Sequence, residues 1–207
     1  DLQPKDWGVF TSWGRLLASS GLAAVTFNHR LAFPKTLVTE GAADVAQAIA
    51  YVRANADKLN IDKDRLCIAV FSAGGPMLAN TLRERPAHIR CAVAFYPLLD
   101  IRQSPPHQAS ETPATLAQYS PAAQLTGDLS VLPPLFVARA GRDRVPGLNA
   151  ALDRFVQAAL AGNAQVTVAN HAGGVHGFDN QNDDARSREI VTMAVWFLQT
   201  NLGMGER

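Results

Sequence analysis

Three residues of this chain are of types that can share one covalent reaction, and they follow one another in the order Ser72, Asp143, His176. Ser72 stands in Val70-Phe71-Ser72-Ala73-Gly74-Gly75, directly after the apolar run Leu66-Cys67-Ile68-Ala69-Val70-Phe71. A strand that runs into a serine, then glycines, then a helix-like stretch from Pro76 predicts a sharp strand-to-helix turn. Such a turn pushes the hydroxyl beyond the end of a sheet. A serine hydroxyl is a weak nucleophile unless a neighbouring base takes its proton. His176, in Gly173-Gly174-Val175-His176-Gly177-Phe178, can be that base, because the flanking glycines leave the loop free to aim the ring. Asp143, in Gly141-Arg142-Asp143-Arg144-Val145-Pro146, follows an apolar strand and can hold the imidazole in its useful tautomer. The chemistry so assembled is acyl transfer, with the Ala73 backbone N–H as one donor to the developing oxyanion.

Each role has a competitor. Asp100 closes the run Tyr96-Pro97-Leu98-Leu99 and is the rival acid, but Asp143 immediately precedes the unit that ends at the histidine. His171 lies at the end of a strand and is read as packing or capping the loop. His29, His88 and His107 are read as structural or surface residues. Neither cysteine pairs with a histidine at ligand spacing, so no metal is expected, and no cofactor is expected either.

The elements that must position these residues alternate between strand and helix, which predicts an α/β fold with a mostly parallel sheet. Strands are expected at 22–28, 66–71, 90–96, 135–140 and 164–169. Helices are expected at 13–20, 39–55, 76–85, 147–161 and 185–199, with apolar stripes such as Val45, Ile49 and Val52, or Leu148, Leu152, Phe155, Val156 and Leu160. Gly162 is placed to end its helix. Residues 101–134 break the rhythm, being rich in Pro, Ser, Thr and Gln, and are read as a lid or cap at the carboxyl ends of the strands. Leu98, Leu99, Leu116 and Tyr119 would give it either a small apolar binding surface or ordinary core contacts.

Composition narrows the function classes. Apolar residues at 47% and charged residues at 18% suit one soluble globular domain over 1–207 and argue against disorder. A net charge of +1 leaves no electrostatic footprint for nucleic acid or an anionic membrane, and no apolar run reaches the length of a membrane span. Cys67 and Cys91 each lie in an apolar strand and are read as buried free thiols, with a bond allowed but not required if their strands are neighbours. With no signal pattern at the start, a reducing cytoplasm is the expectation. A small-molecule partner is expected, and a homodimer is compatible with the sequence. Since the sequence does not open with Met, the natural start is expected to lie elsewhere.

Phe71-Ser72-Ala73-Gly74-Gly75, Asn28-His29-Arg30-Leu31-Ala32 and Val175-His176-Gly177-Phe178 together resemble motifs of the α/β-hydrolase superfamily. The likeness is to its hormone-sensitive-lipase-like esterases and, in overall economy, to dienelactone-hydrolase-like proteins. The resemblance implies an α/β-hydrolase fold and a serine esterase acting through Ser72, His176 and Asp143. Amidase or peptidase activity, or a non-catalytic small-molecule receptor, is the alternative. Two features depart from the superfamily. Val70 stands where a glycine is preferred, so a neighbouring small residue such as Gly75 must compensate. The His-Gly motif that supplies a second oxyanion donor is not found, nor is the central strand before it. N-terminal strands are therefore expected upstream, or another segment fills the gap, with Asp1 to Trp7 as the tail of the oxyanion loop.

Overall fold

The computed structural model describes residues 4–30 and 37–204. Four parallel strands, β1 (Leu66–Phe71), β2 (Ile89–Phe95), β3 (Leu135–Ala140) and β4 (Val166–His171), pair in chain order. The helices are α1 (Gly8–Ser19), α2 (Val38–Ala54), α3 (Ala56–Leu59), α4 (Leu78–Glu84), α5 (Pro105–Ser110), α6 (Pro113–Gln118), α7 (Leu148–Ala161), α8 (Phe178–Gln181) and α9 (Ala185–Asn201). Parallel strands need their connections to pass over the sheet, and here those connections cover both of its faces.

Alternation along each strand divides the core in two. Val70, Ala92, Ala94, Leu135 and Val137 face α2, α4 and α7, meeting Val38, Leu82, Leu152 and Phe155. Val93, Phe95, Phe136 and Ala138 face the other way, meeting Ile190, Ala194 and Leu198 of α9 and, from α1, Trp13 and Leu17. Along α7 the buried residues Leu148, Leu152, Phe155 and Ala159 keep helical spacing, while Leu160 is exposed. Leu99, Ile101, Leu116 and Tyr119 are core residues on the first of these faces.

Three expectations need correction. Residues 22–28 form no strand, and Val25 is exposed. A strand exists through its ladder, and among the described residues β1 is an edge of the four-stranded sheet, which this segment does not join. The helix expected from Pro76 begins earlier, as a 3₁₀ turn over Ser72–Met77 that hands over to α4. Cys67 and Cys91 are not free thiols but form a disulfide. The β1–β2 register sets them directly opposite, with Cα atoms 4.8 Å apart, which periodicity in a single strand cannot reveal. The bond removes the thiol-based ground for a reducing compartment. Part of the Asn28–Ala32 motif and of the Asp1–Trp7 stretch, namely Leu31, Ala32 and residues 1–3, lies outside the described residues.

No described helix is long and apolar enough to cross a membrane. The disulfide closes a loop between cysteines 24 positions apart. Replacing both with alanine is expected to cost about 2–4 kcal/mol of unfolding free energy in denaturant titration. Alkylation of the native protein should find no free thiol until a reductant is added.

Candidate active site

Parallel strands deliver their following loops to one end of the sheet, and the three candidate residues all sit there. Ser72 follows β1 directly, Asp143 follows β3 in a tight turn, and His176 lies in the loop after β4. Ser72 Oγ is 2.7 Å from His176 Nε2, and His176 Nδ1 is 2.6 Å from Asp143 Oδ2. The Asp143 side chain is fully buried, at 0% exposure, whereas that of His176 is 30% exposed. A carboxylate only accepts hydrogen bonds, so Nδ1 carries the proton it donates to Asp143, and Nε2 is left to accept from the serine hydroxyl. The Val145 N–H donates to Asp143 Oδ1 at 2.9 Å, so both carboxylate oxygens have a donor.

Local backbone explains how these side chains are held. Ser72 has φ +50°, a left-handed angle that an L-residue adopts at a cost. The strand's exit turn is fixed by Leu98 N–H, which donates to the Ser72 carbonyl at 2.9 Å. That contact leaves no room for a side chain at Gly75, where a Cβ would lie 2.7 Å from the Leu98 nitrogen. Gly74 lies beside Val70, and even a Cβ there would stand 3.7 Å from the Val70 Cβ, an ordinary contact. Gly75 serves the Leu98 crossing. Ala73 occupies the next position of the 3₁₀ turn.

The loops bearing Asp143 and His176 are joined before the two side chains meet. Gly141 N–H donates to the His171 carbonyl and Arg142 N–H to the Gly174 carbonyl, both at 2.8 Å. Close approach is possible only without a side chain at Gly141, where a Cβ would lie 2.8 Å from Ala172 Cα.

The competitors are used elsewhere. Asp100 caps the 3₁₀ turn Ile101–Gln103 through Arg102 N–H and takes two bonds of 2.8 Å from the Arg102 guanidinium. Burial pushes its carboxyl up, but the Arg102 bonds outweigh this and hold it below the usual carboxylate range. His171 bonds Asp184 and Ser187 and packs under Gly174. His107 is buried against Ser104 Oγ at 2.7 Å. No group of three metal-ligating side chains occurs among the described residues.

One residue at the site escaped sequence reasoning. The Tyr96 ring lies against the His176 imidazole, with centroids 4.7 Å apart, and its backbone has φ +38°. Its sequence position, at the carboxyl end of β2 before Pro97, is the signal that could have found it. A surface cleft of about 510 Å³ adjoins this region through Asp179, Asn180 and Asn182 but is not lined by Ser72 or His176.

Sheet, helices and strand-end site together define an α/β-hydrolase fold, and solved structures agree. A thermophilic esterase from Thermogutta terrifontis superposes with TM-score 0.76 at 20% identity, covering 92% of this chain and 75% of its own. The same esterase, phosphoramylated by tabun, superposes with TM-score 0.73 at 21% identity, covering 92% of this chain and 76% of its own. An acetyl ester-xyloside bifunctional hydrolase from Caldicellulosiruptor lactoaceticus gives 0.74 at 21% identity, covering 91% and 75%. Residues 3–128 match the BD-FAE family, more than half of the sequence, and the chain belongs to that family. An acetylxylan esterase from Xylanibacter ruminicola is 26% identical over an alignment of 189 positions that covers 85% of this chain and 36% of that protein. The narrower likeness to the lipase-like and dienelactone-hydrolase-like branches stays a resemblance of short motifs.

The loop junction is open to a direct comparison. Gly141→Ala should destabilise the fold by about 1–3 kcal/mol, because the intruding methyl meets backbone. Gly173→Ala, whose added Cβ finds its nearest neighbour 3.9 Å away, should stay within about 0.5 kcal/mol. Equal unfolding midpoints for the two variants would contradict the packing described.

Proposed function

We propose that this chain is a serine hydrolase that cleaves carboxylic esters through an acyl-enzyme. The observation that carries the reading is the continuous relay from Ser72 Oγ through His176 to buried Asp143, with bonds of 2.7 and 2.6 Å. His176 Nε2 takes the serine proton as Ser72 Oγ attacks the ester carbonyl, and Asp143 stabilises the imidazolium that forms. The tetrahedral intermediate collapses as His176 returns the proton to the departing alkoxide oxygen. Water, deprotonated by the same nitrogen, then releases the acid and restores the serine. Ala73 N–H donates to the oxyanion in both steps.

The substrate reading rests on relatives. An acetylxylan esterase shares sequence with this chain, and a structural neighbour is described as an acetyl ester-xyloside hydrolase, so acetyl esters are the class to try first. A fold neighbour that is phosphoramylated by tabun makes an organophosphorus probe the natural test of the nucleophile.

A fluorophosphonate probe with peptide mapping, beside p-nitrophenyl acetate turnover, is expected to give one adduct, on Ser72, and steady hydrolysis. Ser72→Ala should abolish both, and unchanged labelling of that variant would sink the assignment. Asp143→Asn, which keeps the size but favours the wrong tautomer, should lower kcat about 10⁴-fold. Asp100→Asn should leave kcat within about threefold and cost about 1 kcal/mol of stability through its lost ion pair with Arg102. Cleavage of the matching anilide at a comparable rate would favour an amidase, and absence of both adduct and turnover would favour a receptor.

A further inference from the structure

Asp179 is the acidic residue nearest in sequence to His176, and the relay does not use it. It sits in α8, three positions beyond the histidine, and is half-buried. Tyr96 Oη donates to its Oδ1 at 2.6 Å, and Trp13 Nε1 donates to its Oδ2 at 2.7 Å. One carboxylate thereby ties together α1, the end of β2 and the histidine loop. Both partners are neutral donors rather than a cation, so this is no ordinary ion pair. Taking a carboxylate partly out of water is costly unless its oxygens are satisfied, and here each receives one donor. Burial, and then the Asp179 charge, pushes the Tyr96 phenol up from its ordinary range, so the phenol keeps the proton it donates.

The chemistry of the clamp is specific. The two donors meet different oxygens of one side chain, and a carboxylate offers an acceptor at both positions where an amide offers one. An asparagine can satisfy one donor but turns its own N–H₂ toward the other. The geometry also joins the clamp to the relay, because the Tyr96 ring that bonds Asp179 is the ring lying against His176. His176 is flanked by glycines and followed by Gly177 at φ +79°, so its loop has little stiffness of its own.

We infer that Asp179 is a positioning residue that, through Tyr96 and Trp13, fixes the imidazole of His176 in line with Ser72. This rests on the acyl-enzyme reading above. Asp179 touches neither substrate nor reacting atoms. It acts by holding the Tyr96 phenol and the start of α8 in one arrangement, so that the ring cannot swing aside when the Ser72 bond breaks. Misplacement of a catalytic group by about 1 Å can cost about 10²-fold in rate.

The test compares Asp179→Asn, Tyr96→Phe and the double variant, using p-nitrophenyl acetate kinetics, fluorophosphonate labelling and circular dichroism. In Asp179→Asn, kcat and kcat/KM should fall together by roughly 10- to 100-fold while KM stays within about twofold, the pattern of a contact that matters in the transition state. Tyr96→Phe keeps the ring but loses the bond, and should fall about 10-fold. In the double variant the amide no longer faces the phenol, so its loss should not exceed that of Asp179→Asn alone, a non-additivity that independent structural damage would not produce. The downfield proton resonance of His176 Nδ1–H should broaden in Asp179→Asn and stay sharp in Gly173→Ala. Wild-type kcat in a folded Asp179→Asn or Tyr96→Phe, or losses that multiply in the double variant, would overturn the clamp. If Asp179→Asn does not fold, Tyr96→Phe decides alone. Turnover and labelling that survive Ser72→Ala would instead overturn the acyl-enzyme reading.

Discussion

The arrangement depends on one crowded crossing of backbone, where the turn leaving β1 passes the segment leaving β2. Ser72 at φ +50° is a conformation that costs about 1–3 kcal/mol, and it persists only because its surroundings fix it. The Leu98 N–H bond to the Ser72 carbonyl is one restraint, and the missing Cβ at Gly75 is the condition for it. A larger residue at Gly75 would push the two segments apart and let the serine relax to an ordinary angle. Its hydroxyl would then no longer project from the sheet toward the histidine loop.

The same logic extends across the strand ends, where neighbouring loops are fastened by backbone before any side chain joins them. Leu98 fastens the exits of β1 and β2, and the Gly141 and Arg142 bonds fasten the exits of β3 and β4. The side-chain relay then spans from the first pair to the second, from Ser72 to His176 and Asp143. Its bonds are short because the backbone has already met most of the entropic cost of bringing the loops together. Burying the Asp143 carboxylate is tolerable because His176 and Val145 N–H satisfy both of its oxygens.

Much of this was legible in the residues. β1 and β3 have the bounds their apolar residues predict, although β1 is only partly buried and Arg139 interrupts the run of β3. The order Ser72, Asp143, His176 was legible because each follows a strand, and parallel strands bring such positions to one end. What failed was whatever depends on a partner that local sequence does not name. Residues 22–28 have the composition of a strand but join no sheet among the described residues, and the cysteines' union rests on a register visible only when β1 lies beside β2. Tyr96 and Asp179 meet across 83 positions, and neither stands in a pattern that announces the other. The glycines and Pro76 after Ser72 signalled a turn, but not that the turn would wind as a 3₁₀ helix.

The two histidines around β4 show why residue types alone do not make a site. His171 also has an aspartate and a serine as neighbours, Asp184 at 3.1 Å and Ser187 at 3.0 Å. Both of those contacts, however, are made by the same ring nitrogen, Nε2. Its Nδ1 is buried without a hydrogen-bond partner among the described residues, and Asp184 spends its carboxylate on the Ser187 backbone N–H at the start of α9. A proton relay needs the acid on one nitrogen and the nucleophile on the other, so that charge gained on one side of the ring is answered on the opposite side. His176 satisfies that condition and His171 does not. His171 therefore anchors a helix and supports the Gly174 turn, while five residues later the same three side-chain types stand with acid and hydroxyl on opposite sides of the ring.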